Sequence, residues 1–420
     1  MEVKDLFERL VDVAREDEEF KRRARYVDSC VRFGVEDEGH VLRFRGGNLV
    51  DVVPDGTIGQ TWDYEIVGPL GDWRRMWRGE IDLTEAVVPQ FGSTVIRGDR
   101  VLYAAQGEAM VHLSRLLRVA AERLGEEVEP APPAPPTAGP DVWRTANEVV
   151  GRYAEVDGIR VYYETIGREG QPLAFIAQHT AGRDCRQWQQ LGDLLCEHGT
   201  FVAYDLPGRG KSWPAPTESG CLETMPEISS FVWKLRDAIG ITAPTVFLGC
   251  SIGGNLALQM AGDHDLAASV SMQGADFTPT QPEESLALMN HPQVNPAFHH
   301  VDRTISLTGS RTPAEVGEYL QWETRNYSSR SIQADLRAYS NFDFRERDAE
   351  ITCPVLFIRG KADWIVSAEM VEGSAERLVN AAAVEVDMPD GVGHFCHLEQ
   401  PAETAERVVR FLTDHGVLGS

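Results

Sequence analysis

The spacing of apolar residues changes along the chain and predicts two segments of different architecture. In the first segment, apolar residues recur at helical spacing from Phe7 onward and again over residues 110–124. Short runs rich in apolar and β-branched residues, such as 30–35, lie between these helices and favour strands. The pattern predicts a small α+β domain with one antiparallel sheet over residues 1–127.

The second segment alternates short apolar runs with helical stretches, which is typical of a parallel sheet covered by helices on both faces. An Asp157-Gly158 pair predicts a hairpin near its start. Residues 277–350 interrupt the alternation with polar helical sequence, and we expect them to form an inserted cap. The fold class predicted for residues 149–420 is α/β, with a mostly parallel sheet and a helical cap. The apolar runs are 173–177, 201–204, 245–248, 268–272, 355–358 and 383–386.

A proline-rich stretch separates the two segments. Proline lacks a backbone N–H and fixes its own φ, so the run from Val128 to Pro140 fits neither a helix nor a central strand. We expect residues 128–148 to form an extended, semi-rigid linker of polyproline character.

The composition excludes some classes of function. The chain has 420 residues, with 65 acidic against 40 basic ones and a formal net charge of −25 at pH 7. A general nucleic-acid binder needs an excess of Lys and Arg to neutralise phosphates, so we expect no nucleic-acid partner. No apolar run approaches the ~20 residues of a membrane span, and the charged N-terminal residues do not resemble a signal peptide. The seven scattered cysteines predict reduced thiols in a cytoplasmic protein, without a disulfide framework or a metal site.

One short motif carries a candidate nucleophile. Residues 249–253 read Gly-Cys-Ser-Ile-Gly, follow the predicted strand 245–248 and precede a predicted helix. This is G-x-S-x-G in the strand–turn–helix context in which a sharp turn exposes the serine above a sheet. We expect Ser251 to be the nucleophile. The neighbouring thiol of Cys250 points away from the tip of such a turn, and we interpret it as a packing residue.

Three more motifs, together with the serine turn, resemble the α/β-hydrolase fold family over residues 149–420. Residues 205–212 match its D-x-P-G-x-G-x-S loop. They do not fit a phosphate-binding loop, because aspartate replaces the first glycine of that motif. Residues 360–366 resemble the family's G-x-x-D-x-x-V loop, and residues 393–394 its Gly-His loop. The resemblance implies a hydrolase with a catalytic triad.

The family's motifs assign this triad residue by residue. Ser251 is the expected nucleophile, His394 the base and Asp363 the acid, in the chain order that this fold uses. A serine alone is a poor nucleophile, so an imidazole must take its proton and a carboxylate must orient that imidazole. Asp276 is an alternative acid, because it follows the strand at which some members of the family place theirs.

The loop after strand 173–177 departs from the family. Residues 179–182 read His-Thr-Ala-Gly where most members have H-G-x-G. Register assigns the oxyanion-binding donors to the backbone N–H groups of Ala181 and Ile252. The threonine puts a side chain near these donors, where its hydroxyl either adds a donor or narrows the pocket. The substrate-pocket candidates are His179, Thr180, Trp322 and Phe395.

The predicted cap is the expected determinant of substrate size. It contains more large apolar and aromatic residues than a surface helix needs. Placed over Ser251, they would exclude water and supply an apolar acyl site. These residues are Met289, Phe298, Tyr319, Trp322 and Tyr327.

The first segment is similar to sterol carrier protein type 2-like domains. The similarity rests on residues 66–69, on the tryptophan-containing stretch 73–86 and on residues 96–99 with their Gly-Asp pair. It implies a lipid-binding scaffold with an apolar tunnel. An ordinary apolar core is the alternative interpretation. The candidates for lining a tunnel are Trp62, Trp73, Met76, Trp77 and Phe91.

The sequence predicts a serine hydrolase that cleaves an ester or a lactone of a hydrophobic small molecule through an acyl-enzyme, with no cofactor. Three alternatives stay open. The same residues serve carbon–carbon bond hydrolases that act on a diketone or a ring-cleavage product. The fold also suits a non-hydrolytic biosynthetic enzyme, or an inactive domain attached to a lipid carrier. The first domain either delivers substrate or assembles the chain into a homo-oligomer.

Overall fold

The computed structural model divides the chain into two compact units. The first comprises Met1–Pro133 and His291–Ser306, and the second comprises Ala134–Asn290 and Leu307–Ser420. The middle of the predicted cap over 277–350 therefore belongs to the first unit, so the insertion is not one continuous cap. The structure describes residues 2–57, 59, 61–88, 91–130, 132–212, 221–288 and 291–419, leaving out the side chains of 296–299.

The first unit is an α+β domain with a five-stranded mixed sheet. Its strands are β1 (Cys30–Val35), β2 (Glu38–Arg45), β3 (Asn48–Pro54), β4 (Tyr64–Gly68) and β5 (Val95–Gly98), and its first helices are α1 (Val3–Glu16), α2 (Glu18–Ala24), α3 (Leu70–Arg78), α4 (Leu83–Ala86) and α5 (Arg100–Arg123). The strand order is β3-β2-β1-β4-β5. The prediction of one antiparallel sheet is wrong, because the chain crosses after β3 to the far side of β1 and there β4 runs parallel to β1.

The second unit is an α/β domain built on eight strands. The elements that follow α5 along the chain belong to the second unit, except α10, which belongs to the first unit. They are β6 (Val149–Val156), β7 (Ile159–Ile166), β8 (Ala174–Gln178), α6 (Gln189–Leu195), β9 (Thr200–Tyr204), α7 (Met225–Ala238), β10 (Thr245–Cys250), α8 (Ile252–Asp263), β11 (Ala268–Met272), α9 (Glu283–Ala287), α10 (Pro296–Ser306), α11 (Ala314–Thr324), α12 (Ser329–Ser340), β12 (Val355–Ile358), α13 (Ala368–Arg377), β13 (Val384–Asp387), α14 (Cys396–Glu399) and α15 (Pro401–Asp414).

The large sheet has the mostly parallel topology that the sequence predicts. Its strand order is β13-β12-β11-β10-β8-β9-β7-β6. Only the pairs β6–β7 and β7–β9 are antiparallel among its described strands. The predicted hairpin turn joins β6 to β7, with φ of +51° at Asp157 and +76° at Gly158. Left-handed φ at both positions matches the twist of a two-residue hairpin.

The core of the second unit lies on both faces of this sheet. Every residue of β8, β9, β10 and β11 is buried, as expected for strands covered on both sides. Successive side chains alternate between the faces: Phe247 belongs to one apolar cluster, and Val246 and Leu248 belong to the other. Among the described residues, no helix is long and apolar enough to cross a membrane.

Helix α10 is bound into the first unit by charge. Asp302 on this helix is only 6% exposed. Its carboxylate lies 2.5 Å from Arg23 Nη1 and 3.0 Å from Arg115 Nη1. A buried carboxylate needs such partners, because an unpaired buried charge costs several kcal/mol. Residues 1–127 therefore do not form a complete unit without residues 291–306.

The proline-rich stretch is anchored within the second unit. The Glu315 carboxylate on α11 accepts hydrogen bonds from the N–H groups of Ala138 and Gly139, at 3.0 and 2.8 Å. The carbonyl of Pro136 accepts the N–H of Ala314 at 2.8 Å. Residues 132–139 form neither a helix nor a strand, and these bonds hold the C-terminal half of the stretch against α11.

Candidate active site

A single strained residue, Ser251, joins β10 to α8. It has φ of +61° and ψ of −120°, a region that non-glycine residues rarely occupy. Close packing explains the two glycines around it. A Cβ on Gly249 would lie 1.9 Å from the carbonyl oxygen of Gly253, and a Cβ on Gly253 would lie 2.5 Å from the carbonyl oxygen of Gln178. The turn therefore requires the glycines of the motif, and Ser251 stays partly exposed at its tip.

His394 and Asp363 form a buried hydrogen-bonded pair. His394 Nδ1 lies 2.8 Å from Asp363 Oδ2. The second carboxylate oxygen of Asp363 accepts the backbone N–H of Ile365 at 2.8 Å, which fixes the plane of the carboxylate. An ionised carboxylate only accepts hydrogen bonds, so Nδ1 carries the proton in the neutral imidazole. The other ring nitrogen, Nε2, is then free of a proton and can act as a base.

The loops that carry the serine and the histidine are in direct contact. The Cys250 thiol donates a hydrogen bond to the carbonyl oxygen of His394, with an Sγ–O distance of 3.1 Å. Among the described residues, no hydrogen bond joins the Ser251 hydroxyl to the His394 ring. Such bonds are often long in unliganded enzymes and tighten when substrate binds.

Cys250 is placed as a packing residue, in agreement with the prediction. It is fully buried. Burial raises the pKa of the Cys250 thiol well above its ordinary value, which disfavours the nucleophilic thiolate. The other cysteines are also free thiols.

Asp276, the alternative acid, has other partners. Its carboxylate accepts hydrogen bonds from Ser374 Oγ at 2.9 Å and from Arg377 Nη2 at 2.8 Å and Nε at 2.5 Å. Ser374 and Arg377 lie on α13. Burial raises the pKa of the neighbouring Asp348, and the Asp276 carboxylate raises it further. The structure therefore brings Asp363, and not Asp276, to the histidine.

A third carboxylate, Glu399, holds the histidine loop. It accepts the backbone N–H groups of Gly393 and Phe395, at 2.8 and 2.9 Å, on either side of His394. It also accepts the N–H of Gly309 at 2.8 Å. Glu399 is buried, and burial raises its pKa. In the sequence, the position of Glu399 shortly after the Gly-His motif is the one signal that indicates that it holds this loop.

Two backbone donors near Ser251 are available to an oxyanion. In the loop after β8, the N–H groups of Thr180 and Gly182 are bonded to side chains, at 3.1 and 2.6 Å. Within the described part of the chain, the N–H groups of Ala181 and Ile252 have no hydrogen-bond partner. Ile252 is also the first residue of α8, where the helix dipole favours a negative charge.

The four predicted pocket residues have different environments. His179 is fully buried, and its two ring nitrogens lie 2.8 Å from the Thr180 carbonyl and 3.4 Å from the Leu206 N–H. Thr180 is 3% exposed, and its hydroxyl bonds a glutamine side chain. Phe395 packs edge-on against the His394 ring, at 5.2 Å between centroids. Trp322 is 47% exposed. Both His179 and Thr180 are therefore buried, and their side chains are bonded to neighbouring groups.

A cavity of about 720 Å³ opens beside the loop after β8. Its volume suits a drug-sized molecule, but Ser251, Asp363 and His394 are not among the residues that line it. Of the predicted cap residues, Tyr327 lines it, Met289 lies outside the described residues, and the side chain of Phe298 is likewise not described. The lining residues are Gly182, Arg183, Asp184, Cys185, Arg186, Asp205, Gly208, Arg209, Gly210, Lys211, Glu323, Asn326, Tyr327, Ser328, Arg330 and Ser331.

A cluster of potential metal ligands at this cavity has a structural explanation. Asp184, Cys185 and Asp205 each place one ligand atom within 4.8 Å of the others. The Asp184 carboxylate is paired with the guanidinium of Arg186. The Asp205 carboxylate accepts the backbone N–H groups of Cys185 and Lys211, at 2.8 and 2.7 Å. These bonds occupy the carboxylate oxygens, so the cluster ties two loops together.

The sheet topology, the serine turn and the order of these loops agree with a comparison against known families. The model of the alpha/beta hydrolase family matches residues 173–407. The chain belongs to this family. The match covers the strands from β8 to β13 and includes Ser251, Asp363 and His394.

Proteins that are similar to this chain include esterases and a lactonase. A pimeloyl-(acyl-carrier protein) methyl ester esterase from Xylella fastidiosa is 24% identical over 53% of this chain and 88% of that protein. An enol-lactonase structure from Burkholderia xenovorans LB400 superposes with a TM-score of 0.55 and 20% identity, over 62% of this chain and all of that one. At this identity the structural likeness shows the fold. Together with the family, these neighbours support hydrolase activity.

One curated relative matches over a shorter stretch. The dihydrolipoyllysine-residue acetyltransferase component of the acetoin cleaving system from Cupriavidus necator is 39% identical over 112 residues. The match covers 27% of this chain and 28% of that protein. The chain thus spans less than a third of this relative, and the activity of the whole relative is not transferred.

Proposed function

We propose that this member of the alpha/beta hydrolase family is a serine hydrolase that cleaves an ester or a lactone of a hydrophobic small molecule. The observation that carries the proposal is the buried His394–Asp363 pair beside a strained turn that presents Ser251. Strained backbone and a histidine held in one tautomer are features that proteins keep at functional sites.

The proposed reaction proceeds through an acyl-enzyme. His394 Nε2 takes the proton of the Ser251 hydroxyl as the oxygen attacks the carbonyl carbon. Asp363 orients the imidazole and stabilises its cation. The negative charge that develops on the carbonyl oxygen is met by the N–H groups of Ala181 and Ile252. His394 then protonates the leaving alcohol, and a water molecule releases the acid by the same steps in reverse.

The substrate class is inferred from the neighbours and from the charge of the chain. The esterase and the enol-lactonase named above act, by their names, on an ester and a lactone. The net charge of −25 disfavours a polyanionic substrate.

Covalent labelling tests the proposal directly. A fluorophosphonate probe should label the wild-type chain at one residue and should not label Ser251→Ala. A panel of aryl esters, lactones and vinylogous diketones, analysed by product, then distinguishes the bond that is cleaved. The proposal is wrong if the wild type is not labelled, or if only a diketone is turned over with cleavage of a carbon–carbon bond.

For the first unit, we propose binding of an apolar ligand. The motifs shared with sterol carrier protein type 2-like domains support it. Trp73, Met76 and Trp77 lie in the buried apolar cluster of this unit, whereas Trp62 is 42% exposed under the guanidinium of Arg32.

The test must use the full chain, because α10 completes the first unit. Wild-type chain whose Ser251 has been fully phosphonylated is titrated with a fluorescent fatty acid. Stoichiometric binding with the hydrolase site blocked supports a second apolar site. Binding that disappears after phosphonylation assigns the fatty acid to the hydrolase site and refutes the proposal.

A further inference from the structure

Two side chains hold the loop that offers Ala181. We call residues 179–183 the oxyanion loop, and we call Gln187 and Asp335 its clamp. Gln187 lies in the 3-10 turn Cys185–Trp188, directly after the loop. Asp335 lies on α12, in the inserted segment of the second unit. Both side chains are fully buried.

Gln187 binds the loop on its N-terminal side. Its Oε1 accepts the N–H of Thr180 at 3.1 Å and the Thr180 hydroxyl at 3.0 Å. Its Nε2 donates to Glu323 Oε2 at 2.9 Å. An amide has one acceptor end and one donor end, so the Glu323 carboxylate on α11 fixes which end faces the loop. The Thr180 hydroxyl is thus used within the loop and is not directed to the oxyanion.

Asp335 binds the loop on its C-terminal side. Its Oδ2 accepts the N–H of Gly182 at 2.6 Å. Its other oxygen is paired with Arg209, and both side chains of this ion pair are completely buried. The N–H of Arg183 donates to the Thr180 carbonyl at 3.1 Å, which closes the loop into a turn.

The clamp leaves the N–H of Ala181 available. The N–H groups directly before and after Ala181 are both bonded to side chains, whereas the N–H of Ala181 has no partner among the described residues. We infer that Gln187 and Asp335 are positioning residues of the hydrolytic reaction: they fix the loop so that the N–H of Ala181 alone is directed at the oxyanion. The inference rests on the proposed function. It also means that α11 and α12, through Glu323 and Asp335, keep the donor in place.

The physical reason is preorganisation. A donor stabilises the tetrahedral intermediate only when it is held at the place where the charge develops, and loss of one such donor costs about 10²–10³-fold in kcat. When the loop can rotate, its N–H donor lowers the free energy of the transition state less. The contacts that bind the substrate in the ground state elsewhere in the site are unchanged. The effect of a broken clamp therefore falls on kcat and not on KM.

The test compares two identical substitutions in one short stretch of chain. Gln187→Met removes the clamp's amide with little change in volume. Gln189→Met is the matched control, because its amide bonds Glu164 at 2.8 Å and not the oxyanion loop. Each full-length variant is assayed with an aryl ester, titrated with a fluorophosphonate to count functional sites, and tested for affinity for a trifluoromethyl ketone, which forms a tetrahedral adduct with a serine.

For Gln187→Met we expect kcat per labelled site to fall by roughly 10- to 100-fold, with KM within about twofold. Affinity for the trifluoromethyl ketone should fall by the same factor as kcat. Thr180→Val, which keeps the N–H and removes the hydroxyl, should show a smaller loss of the same kind. Gln189→Met should behave like the wild type.

Two outcomes overturn the inference. The first is a normal kcat per labelled site in Gln187→Met, even when fewer sites are labelled, because that describes a residue that only stabilises the fold. The second is a rise in KM with unchanged kcat, because that describes ground-state binding. Failure of the proposed function looks different: the wild type itself is then not labelled at Ser251.

Discussion

Replacing Asp363 by asparagine is the sharpest test of the proposed triad. The carboxylate accepts two hydrogen bonds, from His394 Nδ1 at 2.8 Å and from the N–H of Ile365 at 2.8 Å. Asparagine has nearly the same shape and can keep the bond to Ile365 through its carbonyl oxygen. Its amide group then faces His394 and can only donate, so the imidazole must present an unprotonated Nδ1 and carry its proton on Nε2. That tautomer cannot take the serine proton.

The expected loss follows from this geometry. An asparagine in this position lowers kcat by about 10⁴-fold in a well-studied triad, which corresponds to about 5.5 kcal/mol of transition-state free energy. We expect a loss of that order for Asp363→Asn, measured as kcat for an aryl ester. The free energy of unfolding in urea should change little, because shape and one of the two hydrogen bonds are kept.

Asp276→Asn is the matched control for this prediction. Its partners are Ser374 and Arg377, and Arg377 is 38% exposed, so water can replace part of the lost ion pair. We expect a stability cost of about 1–3 kcal/mol and an activity within a few-fold of the wild type. The reverse ranking, with a mild Asp363→Asn and an inactive but folded Asp276→Asn, would refute the assignment of the acid and move it to the earlier strand.

Three further predictions follow from other contacts. Ser251→Ala should lower kcat by about a million-fold while leaving the melting temperature unchanged or raised, since alanine removes only a partly exposed hydroxyl; retention of a few per cent of activity would contradict it. Burial raises the pKa of Glu323 from 4.5 to about 7, so the folded state favours the protonated side chain. The stability that this protonation contributes is fully present below pH 4.5 and is lost as the pH rises through 7. Urea unfolding should accordingly show Glu323→Gln gaining stability relative to the wild type between pH 5 and pH 8, by up to about 3 kcal/mol, and an equal difference at both pH values would refute the shift. Asp302→Asn should destabilise the first unit by about 1–3 kcal/mol in the same assay, because Arg23 and Arg115 lose a buried counter-charge; an unchanged unfolding curve would mean that α10 is held by apolar contacts alone.

The strands of the large sheet could be predicted from sequence because their signals are local. β10, for example, is an apolar run buried on both faces, and the Asp157-Gly158 turn has a strong backbone preference of its own. In the first unit the edge strand β3 was not predicted. Of its residues only Leu49 is buried, so it shows no clear alternation. The parallel pairing of β1 with β4 depends on a crossover, which no local pattern encodes.

The candidate site shows the same division between local and distant causes. Ser251, Asp363 and His394 each lie in a short motif whose spacing could be recognised. The clamp residues have no such motif: Asp335 lies 153 positions after the glycine that it binds, and Glu323 lies 136 positions after Gln187. A glutamine or an acid on a helix is ordinarily interpreted as a solvated residue. Only the folded chain shows that Gln187, Glu323 and Asp335 are buried.

Buried carboxylates organise the loops of this site for a common physical reason. Loops at the carboxyl ends of parallel strands leave backbone N–H groups without partners in any helix or sheet, and a buried N–H without a partner is costly. A carboxylate offers several acceptor sites at once, so one side chain can bind donors from two loops, as Glu399 does and as Asp335 does for Gly182 and Arg209. Each acid loses its hydration in return, and the charge-assisted hydrogen bonds offset that cost only while every partner is present. The loops therefore depend on one another for their positions. Removal of one acid should loosen the catalytic loop that this acid binds before the sheet beneath the loop unfolds.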